Sequence, residues 1–284
     1  MEKLAHPKNI SPKVGVVFSS GFFGFFAHAG FLSALRELKI SATGYSGASS
    51  GAIVAAMAAA GMSDQEIKDT FFGLKKSDFW DPDPGSTIMK KGLKIFKGYT
   101  GYLRGEQFAR LLEKIPVKKI EDCNTPLVIS ATNLSLKREE LFTRGSLIKA
   151  VQASGAVPAL FKPVDVEGSL HVDGGVVNKA PVSALYDLVR PEKIIVHFII
   201  SKDIEHSENN FLIKRMTPWH IYQLSINISR QEAYKRQCDA ARQLGVEIVE
   251  IKTDAPGVGP NNLKMGTVAY SRARKSTMNI LSQM

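Results

Sequence analysis

Apolar positions fall along this chain in two rhythms. Unbroken runs rich in β-branched residues, "KVGVVF" (13–18) and "KIIVHFII" (193–200), read as strands buried on both faces. Between such runs the apolar residues recur every three or four positions. "FFAHAGFLSALRELKI" (25–40) has that spacing and predicts a helix. The first strand is expected to end near Gly21 in a glycine-rich turn that opens this helix. A second short strand, "ATGYSG" (42–47), runs at once into an apolar helix from about Ser50 to Ala60. Ser63 and Glu66 then form an S-x-x-E capping box for a further helix. "PLVISATNL" (126–134) and "REELFTR" (138–144) predict neighbouring strands, "LIKAVQASGA" (147–156) a helix and "SLHVDGG" (169–175) a strand ending in a turn. A long basic helix over 218–245 precedes the last strand, "VEIVEIKT" (246–253). Alternation of this kind predicts an α/β fold with a mostly parallel sheet covered on both sides. Two prolines and five glycines between Asp81 and Gly105 predict an irregular stretch there. A second basic helix near the C-terminus, "AYSRARKSTMNIL" (269–281), is expected to lie on the surface.

Charge adds a partner to this picture. The net charge of +10 is uneven: nine basic residues against two acidic ones lie between Lys90 and Lys119, a local excess of +7. Such a stripe suits an anionic partner, either a membrane surface or a nucleic acid. No nucleic-acid-binding module is recognisable, so no nucleic-acid partner is expected. In "MKKGLKIFKGYTGYL" (89–103) a helix would gather Lys90, Lys91, Lys94 and Lys97 on one side, interrupted by Leu93, Phe96 and Tyr99. That composition fits an anionic lipid interface and equally an ordinary solvated face. The two cysteines, Cys123 and Cys238, make neither a disulfide framework nor a CxxC pair, which points to a reducing compartment. The start shows no secretory apolar core, and the longest apolar run, "AIVAAMAAAGM", has 11 residues. A bilayer span needs about 20. A cytoplasmic protein, peripheral to a membrane at most, is therefore expected, folded as a single domain over 1–284.

The chemistry is concentrated in Gly47-Ala48-Ser49-Ser50-Gly51, a G-x-S-x-G pattern centred on Ser49. A strand turning sharply into a helix holds such a serine in a strained conformation, and the flanking residues must be small for the backbones to pass. The helix start then offers N–H groups to an oxyanion. The same pattern also fits a turn that is tight only for packing. Neither Ser46 nor Ser50 is flanked by glycine at −2 and +2 together. No histidine falls into place as the base: His28 lies in the first helix, His171 on a strand, and His197 inside "IIVHFII", where a buried neutral ring is expected. Asp173-Gly174-Gly175 presents a carboxylate at the end of a strand. That sequence is also a common β-turn, but Ser49 and Asp173 together can make a two-residue site in which the carboxylate takes the serine proton.

From Val14 to Leu185 the sequence resembles the patatin-like phospholipases. The elements appear in that family's order: a glycine-rich turn, "HAGFLSAL", "GASSGA", "SATNL", "AVQASGAVPALFKPV" and "HVDGGVVNKAPVSAL". The resemblance implies a three-layer αβα sandwich and a Ser–Asp dyad without histidine, with Ser49 as nucleophile and Asp173 as base. It implies an oxyanion hole built from the N–H groups of Gly21, Phe22 and Ser50. Gly24, Gly47, Gly51, Gly174 and Gly175 are its motif glycines. No metal or cofactor is implied, and the substrate would be a lipid ester cleaved by phospholipase A or lysophospholipase action. The motif-bearing core is then 14–185, with 190–284 an extension of it. One departure matters: Ser19 replaces the first glycine of the usual G-x-G-x-x-G turn, and Phe23 the usual basic residue. The alternative is thus a catalytically weak lipid-binding or regulatory protein on the same fold. The phenylalanines of "GFFGFF" (21–26) are candidates for an acyl pocket, with at least half of them expected in the core.

Overall fold

A computed structural model describes residues 12–84, 100–200 and 217–284. Its centre is strand β1 (Val14–Phe18), buried along its whole length. Alternation sends Val16 and Phe18 into one core and Val17 into another on the opposite face. Both faces of the sheet are therefore covered. β1 ends at Phe18 rather than near Gly21. Ser19 still donates its N–H to His197 O (3.1 Å), but Ser20 turns away and donates to Lys179 O (2.7 Å).

β2 (Ala42–Ala48) and β9 (Lys193–Ile200) flank β1, both parallel to it. Outside them lie β4 (Leu127–Asn133), parallel to β2, and β10 (Glu247–Asp254), parallel to β9. β5 (Arg138–Phe142) and β8 (Ser169–Val172) run the other way, each antiparallel to β4, and β7 (Val164–Val166) pairs antiparallel with β8. The order of the eight-stranded sheet is β10-β9-β1-β2-β4-β8-β7, with β5 on β4. A separate pair, β3 (Gly101–Leu103) with β6 (Ala159–Phe161), puts regular structure at the end of the stretch expected to be irregular.

Helices α1 (Phe25–Glu37) and α2 (Ser50–Ala59) cover one face. α3 (Asp64–Phe72) follows, and its capping box is present on Ser63 and Glu66. Asp81 accepts the N–H groups of Gly105, Glu106 and Gln107, which fixes the start of α4 (Glu106–Leu112). α5 (Leu147–Ser154) packs into the same core as α1 and α2. The opposite face carries α6 (Val182–Val189) and the long α7 (Pro218–Gln243).

The last helix, α8 (Met265–Leu281), shows an exposed face with Arg272 and Lys275, as expected of a surface helix, but its other face is buried. Gly266, Ala269, Ala273 and Thr277 form a stripe of small residues that is buried with Tyr270. That stripe lets the backbone press on α1 so closely that a Cβ on Gly30 would stand 2.1 Å from Tyr270 O. Because β1 and β2 are parallel, their carboxyl ends lie side by side, and the turn after each opens on the same edge of the sheet.

Candidate active site

Ser49 sits between the last residue of β2 and the first of α2, with φ 55° and ψ −123°. A non-glycine residue held there stores about 1–3 kcal/mol of strain and persists only if its surroundings impose it. The two motif glycines show how. A Cβ on Gly47 would lie 2.5 Å from Gly51 O, and one on Gly51 would lie 2.4 Å from Phe18 O. Strand and helix cross backbone against backbone at both positions. The N–H of Ser49 donates to Ser154 Oγ (2.9 Å), whose hydroxyl donates to Ser130 O (2.6 Å). The side chain points to the end of β8: Ser49 Oγ donates to Asp173 Oδ2 at 2.5 Å, with both residues buried.

Asp173 is anchored on every side. Its N–H donates to Ala156 O (2.9 Å), its carbonyl accepts from Thr132 Oγ1 (2.9 Å), and Oδ1 accepts from Gly175 N–H (2.6 Å). Burial pushes the Asp173 carboxyl up to about 6. The hydrogen bonds from Ser49 and Gly175 and the positive charges of Arg230 and Lys179 all pull it back. The result is a proton acceptor poised near neutrality. Gly174 is wedged in place, since a Cβ there would lie 2.0 Å from Ser130 O.

The turn after β1 forms the third wall. Ser19, which stands where the family pattern has glycine, uses its hydroxyl to accept the N–H of Ile199 (2.9 Å) and so ties the turn to β9. Its carbonyl is 2.8 Å from Nε2 of His28, and Nδ1 of His28 is 2.7 Å from Nδ1 of His197. Burial pushes His28 down to about 3 and His197 well below its ordinary value, so both rings are neutral. The proton positions follow from that. His28 Nε2–H donates to the Ser19 carbonyl, His197 Nδ1–H donates to His28 Nδ1, and Thr253 Oγ1–H donates to His197 Nε2 (2.9 Å). Phe31 stacks on the His197 ring at 4.5 Å. The two histidines thus hold the turn, and neither touches Ser49.

Gly21, Phe22 and Ser50 border the same cavity as Ser49. Their backbone N–H groups have no acceptor among the described residues. Gly24 passes close to Ser50, where a Cβ would stand 2.9 Å from Ser50 Oγ.

The cavity measures about 720 Å³ with its open mouth, and aromatic rings dominate its wall. Of the four phenylalanines in "GFFGFF" only Phe26 is fully buried. Phe22, Phe23 and Phe25 line the cavity, and Phe23 and Phe25, half-buried, also pack against the core that holds Phe26. Phe23 has a φ of 52°, outside the helical region, and α1 begins only at Phe25. Phe23 packs on Phe22 and Phe79 with ring centroids 4.9 and 5.4 Å away, making apolar wall where the family pattern has a basic side chain.

The structure brings Ser49, Ser50, Gly21, Phe22, Gly24, Asp173, Gly174 and Gly175 to one place. Lys90, Lys91, Lys94 and Lys97, expected at a membrane surface, lie outside the described residues. The residues that sequence reasoning did not single out are Ser154, Lys179 and Arg230. Ser154 sits within "AVQASGAVPALFKPV" without any pattern of its own, and Arg230 is one of several basic residues on a long helix.

The sequence model of the family described as patatin-like phospholipase matches residues 16–186. An uncharacterised NTE-family protein of Mycobacterium tuberculosis is 30% identical over 177 residues, which make up 62% of this chain and 46% of that protein. A lysophospholipase of Pyricularia oryzae is 30% identical over 176 residues, 62% of this chain and 11% of the fungal protein. This chain therefore matches less than half the length of either relative. Among solved structures, VipD from Legionella pneumophila shares the fold with a TM-score of 0.55 at 16% identity, over 96% of this chain and 67% of VipD.

Proposed function

We propose, from the premise that the chain belongs to the patatin-like phospholipase family, that it hydrolyses the carboxylic ester bonds of lipids through Ser49 and Asp173. The observation that carries this reading is the 2.5 Å hydrogen bond from Ser49 Oγ to Asp173 Oδ2, made by a strained serine at the base of an aromatic cavity. In the first half-reaction Asp173 takes the Ser49 hydroxyl proton as Oγ bonds to the ester carbonyl carbon. The negative charge that develops on the carbonyl oxygen is met by the N–H groups of Gly21, Phe22 and Ser50 and by the start of α2. Collapse breaks the ester C–O bond, and the departing alcohol takes the proton back from Asp173. In the second half-reaction a water gives its proton to Asp173 and attacks the acyl-serine, and Ser49 leaves with that proton.

Similarity to a fungal lysophospholipase favours a lysophospholipid or a phospholipid acyl ester as substrate. The cavity beside Ser49 offers its acyl chain an apolar lining. Phe22 borders this cavity and is 58% exposed, and on this reading it enters the lipid surface from which the chain is drawn.

Labelling with a fluorophosphonate probe, with the modified residue located by peptide mass spectrometry, tests the reading directly. Ser49 is expected to be labelled in the wild type, not in Ser49→Ala and far more slowly in Asp173→Asn. An unlabelled Ser49 in folded protein, alone and with detergent, would overturn the hydrolase and leave the alternative of a lipid-binding protein on the same fold. Vesicle binding that persists in Ser49→Ala would then define its function.

A further inference from the structure

The Asp173 turn contains two consecutive glycines, and such a turn has little conformational preference of its own. Its geometry must be imposed by what surrounds it. From the sheet side the pressure comes from Ser130 O, 2.0 Å from where a Cβ on Gly174 would stand, and from Ser20 Cβ, 2.6 Å from one on Gly175. From the other side it comes from α7, which lies outside the family-matched residues 16–186. Arg230 Nη1 donates to Gly175 O, and Gly175 N–H donates to Asp173 Oδ1 at 2.6 Å.

The same helix grips the loop a second time, two turns further on. Gln237 donates from Nε2 to Asn178 Oδ1 (3.1 Å) and accepts the N–H of Ser183 (3.1 Å). Between them Tyr234 packs on Phe198 with ring centroids 5.0 Å apart. Residues 230, 234 and 237 share one helical face, so α7 is set against the 173–183 loop as a rigid bar. The guanidinium of Arg230 is partly buried, and its Nε has no partner among the described residues. Its hydrogen bond to Gly175 and the charge of Asp173 are what hold it there.

We propose that Arg230 is a positioning residue for Asp173: from α7 it clamps the Gly174–Gly175 turn and keeps the carboxylate aimed at Ser49. The inference rests on the dyad reading above and deepens it, since it places a determinant of the reaction in the C-terminal third of the chain. Arg230 acts in two ways, by a directed hydrogen bond and by charge. Its charge and that of Lys179 favour the ionised carboxylate of Asp173. The other ionisable groups close by are engaged elsewhere. His171 is turned to Glu140 (2.7 Å), and Glu139 accepts from Ser130 Oγ (2.6 Å) and Asn178 Nδ2 (2.9 Å).

Arg230→Gln and Arg230→Lys separate the two contributions. The Asp173 carboxyl is followed by ¹³C NMR titration, with Asp173→Asn for assignment, and Ser49 by its rate of fluorophosphonate labelling against pH. In Arg230→Gln the Asp173 midpoint and the acid limb of the labelling profile should both move to higher pH, because removing a positive charge makes the carboxylate harder to form. Labelling on the plateau should fall by about 10- to 100-fold, the usual effect of slight misplacement of a reacting group. Arg230→Lys should return the midpoint close to wild type while recovering only part of the rate, since it keeps the charge and loses the planar fork. A folded Arg230→Gln with unchanged midpoint and unchanged labelling overturns the proposal, as does an Arg230→Lys midpoint shifted as far as that of Arg230→Gln. Should Ser49 prove unreactive in the wild type, the hydrolase reading fails, and the NMR midpoints still decide whether Arg230 controls Asp173.

Discussion

Asp173→Asn should stabilise the protein at neutral pH while abolishing turnover. Burial raises this carboxyl from its ordinary 3.8 to about 6. At about 1.36 kcal/mol per pH unit, holding it ionised in the folded protein costs about 3 kcal/mol. The sign follows from proton binding. Between about pH 4 and pH 6 the folded chain holds a proton on Asp173 that the unfolded chain has lost, so this group destabilises the fold progressively as pH rises through that window. Asparagine never ionises. It also brings an amide next to Ser49, which adds an offset that does not depend on pH. The measurement is therefore the difference in unfolding free energy between variant and wild type, from urea titrations at a series of pH values. That difference should rise by about 3 kcal/mol from about pH 4 to about pH 7 and stay level outside this range. Other ionisable groups affect both proteins alike and cancel. A difference that stays flat across the window would refute the claim that burial has raised the Asp173 pKa.

Ser154→Ala removes the acceptor for Ser49 N–H and the donor to Ser130 O. It should cost about 1–3 kcal/mol and slow fluorophosphonate labelling, whereas labelling at the wild-type rate would show that the elbow needs no such support. Gly51→Ala puts a Cβ 2.4 Å from a backbone carbonyl and should cost at least about 3 kcal/mol by thermal or urea unfolding. Gly257→Ala, with nothing within 4 Å, should be close to neutral in the same assay. His28 and His197 are held neutral inside the fold and gain protons on unfolding, so their contribution is present above about pH 6.5 and is lost as pH falls below it. In the Asp173→Asn background the urea midpoint should drop between about pH 6.5 and pH 5 with uptake of about two protons, and a midpoint independent of pH would contradict their buried neutral state.

What was legible in the sequence is what local sterics dictate. Gly47 and Gly51 flank Ser49 because backbone passes backbone there, and only glycine permits that at both positions, so the pattern pointed to the elbow directly. The capping box on Ser63 and the β-branched strand at 193–200 are equally local. Direction and pairing of the strands were less so. β5 and β8 run against the parallel strands, and β7 pairs antiparallel with β8, because of connections and pairings that no alternation of apolar residues encodes. Three-residue strands such as β3 are too short to show a period at all. In the sequence the turn after β1 shows only a missing glycine and a missing basic side chain. Its actual support is a hydroxyl on Ser19 reaching Ile199, 180 residues away, and a histidine pair whose members are 169 residues apart. Arg230 was invisible for the same reason, since its partner Gly175 is 55 residues distant and nothing in α7 marks one arginine from the next. The buried stripe of α8 was written in the spacing of its small residues, but basic side chains on the other face outweighed it.

The fate of the two kinds of base in this sheet explains how the proposed site works without histidine. An ordinary aspartate, at 3.8, is a weak acceptor for a serine proton, whereas an ordinary imidazole titrates at about 6.5. Burying a carboxylate raises its pKa, and burying an imidazole lowers it, because each loses its charged form to desolvation. Asp173 is thereby carried to about 6, close to where a catalytic histidine would stand, at a cost of about 3 kcal/mol to the fold. The same burial carries His28 down to about 3 and makes it useless as a base near neutrality. A neutral imidazole has one donor and one acceptor in fixed directions, which suits it to bridging the Ser19 carbonyl and the second ring. On the proposed mechanism desolvation turns the acid into the base and the histidines into scaffold, so putting His at position 173 would supply a ring of the right ordinary pKa and lose it to the same burial.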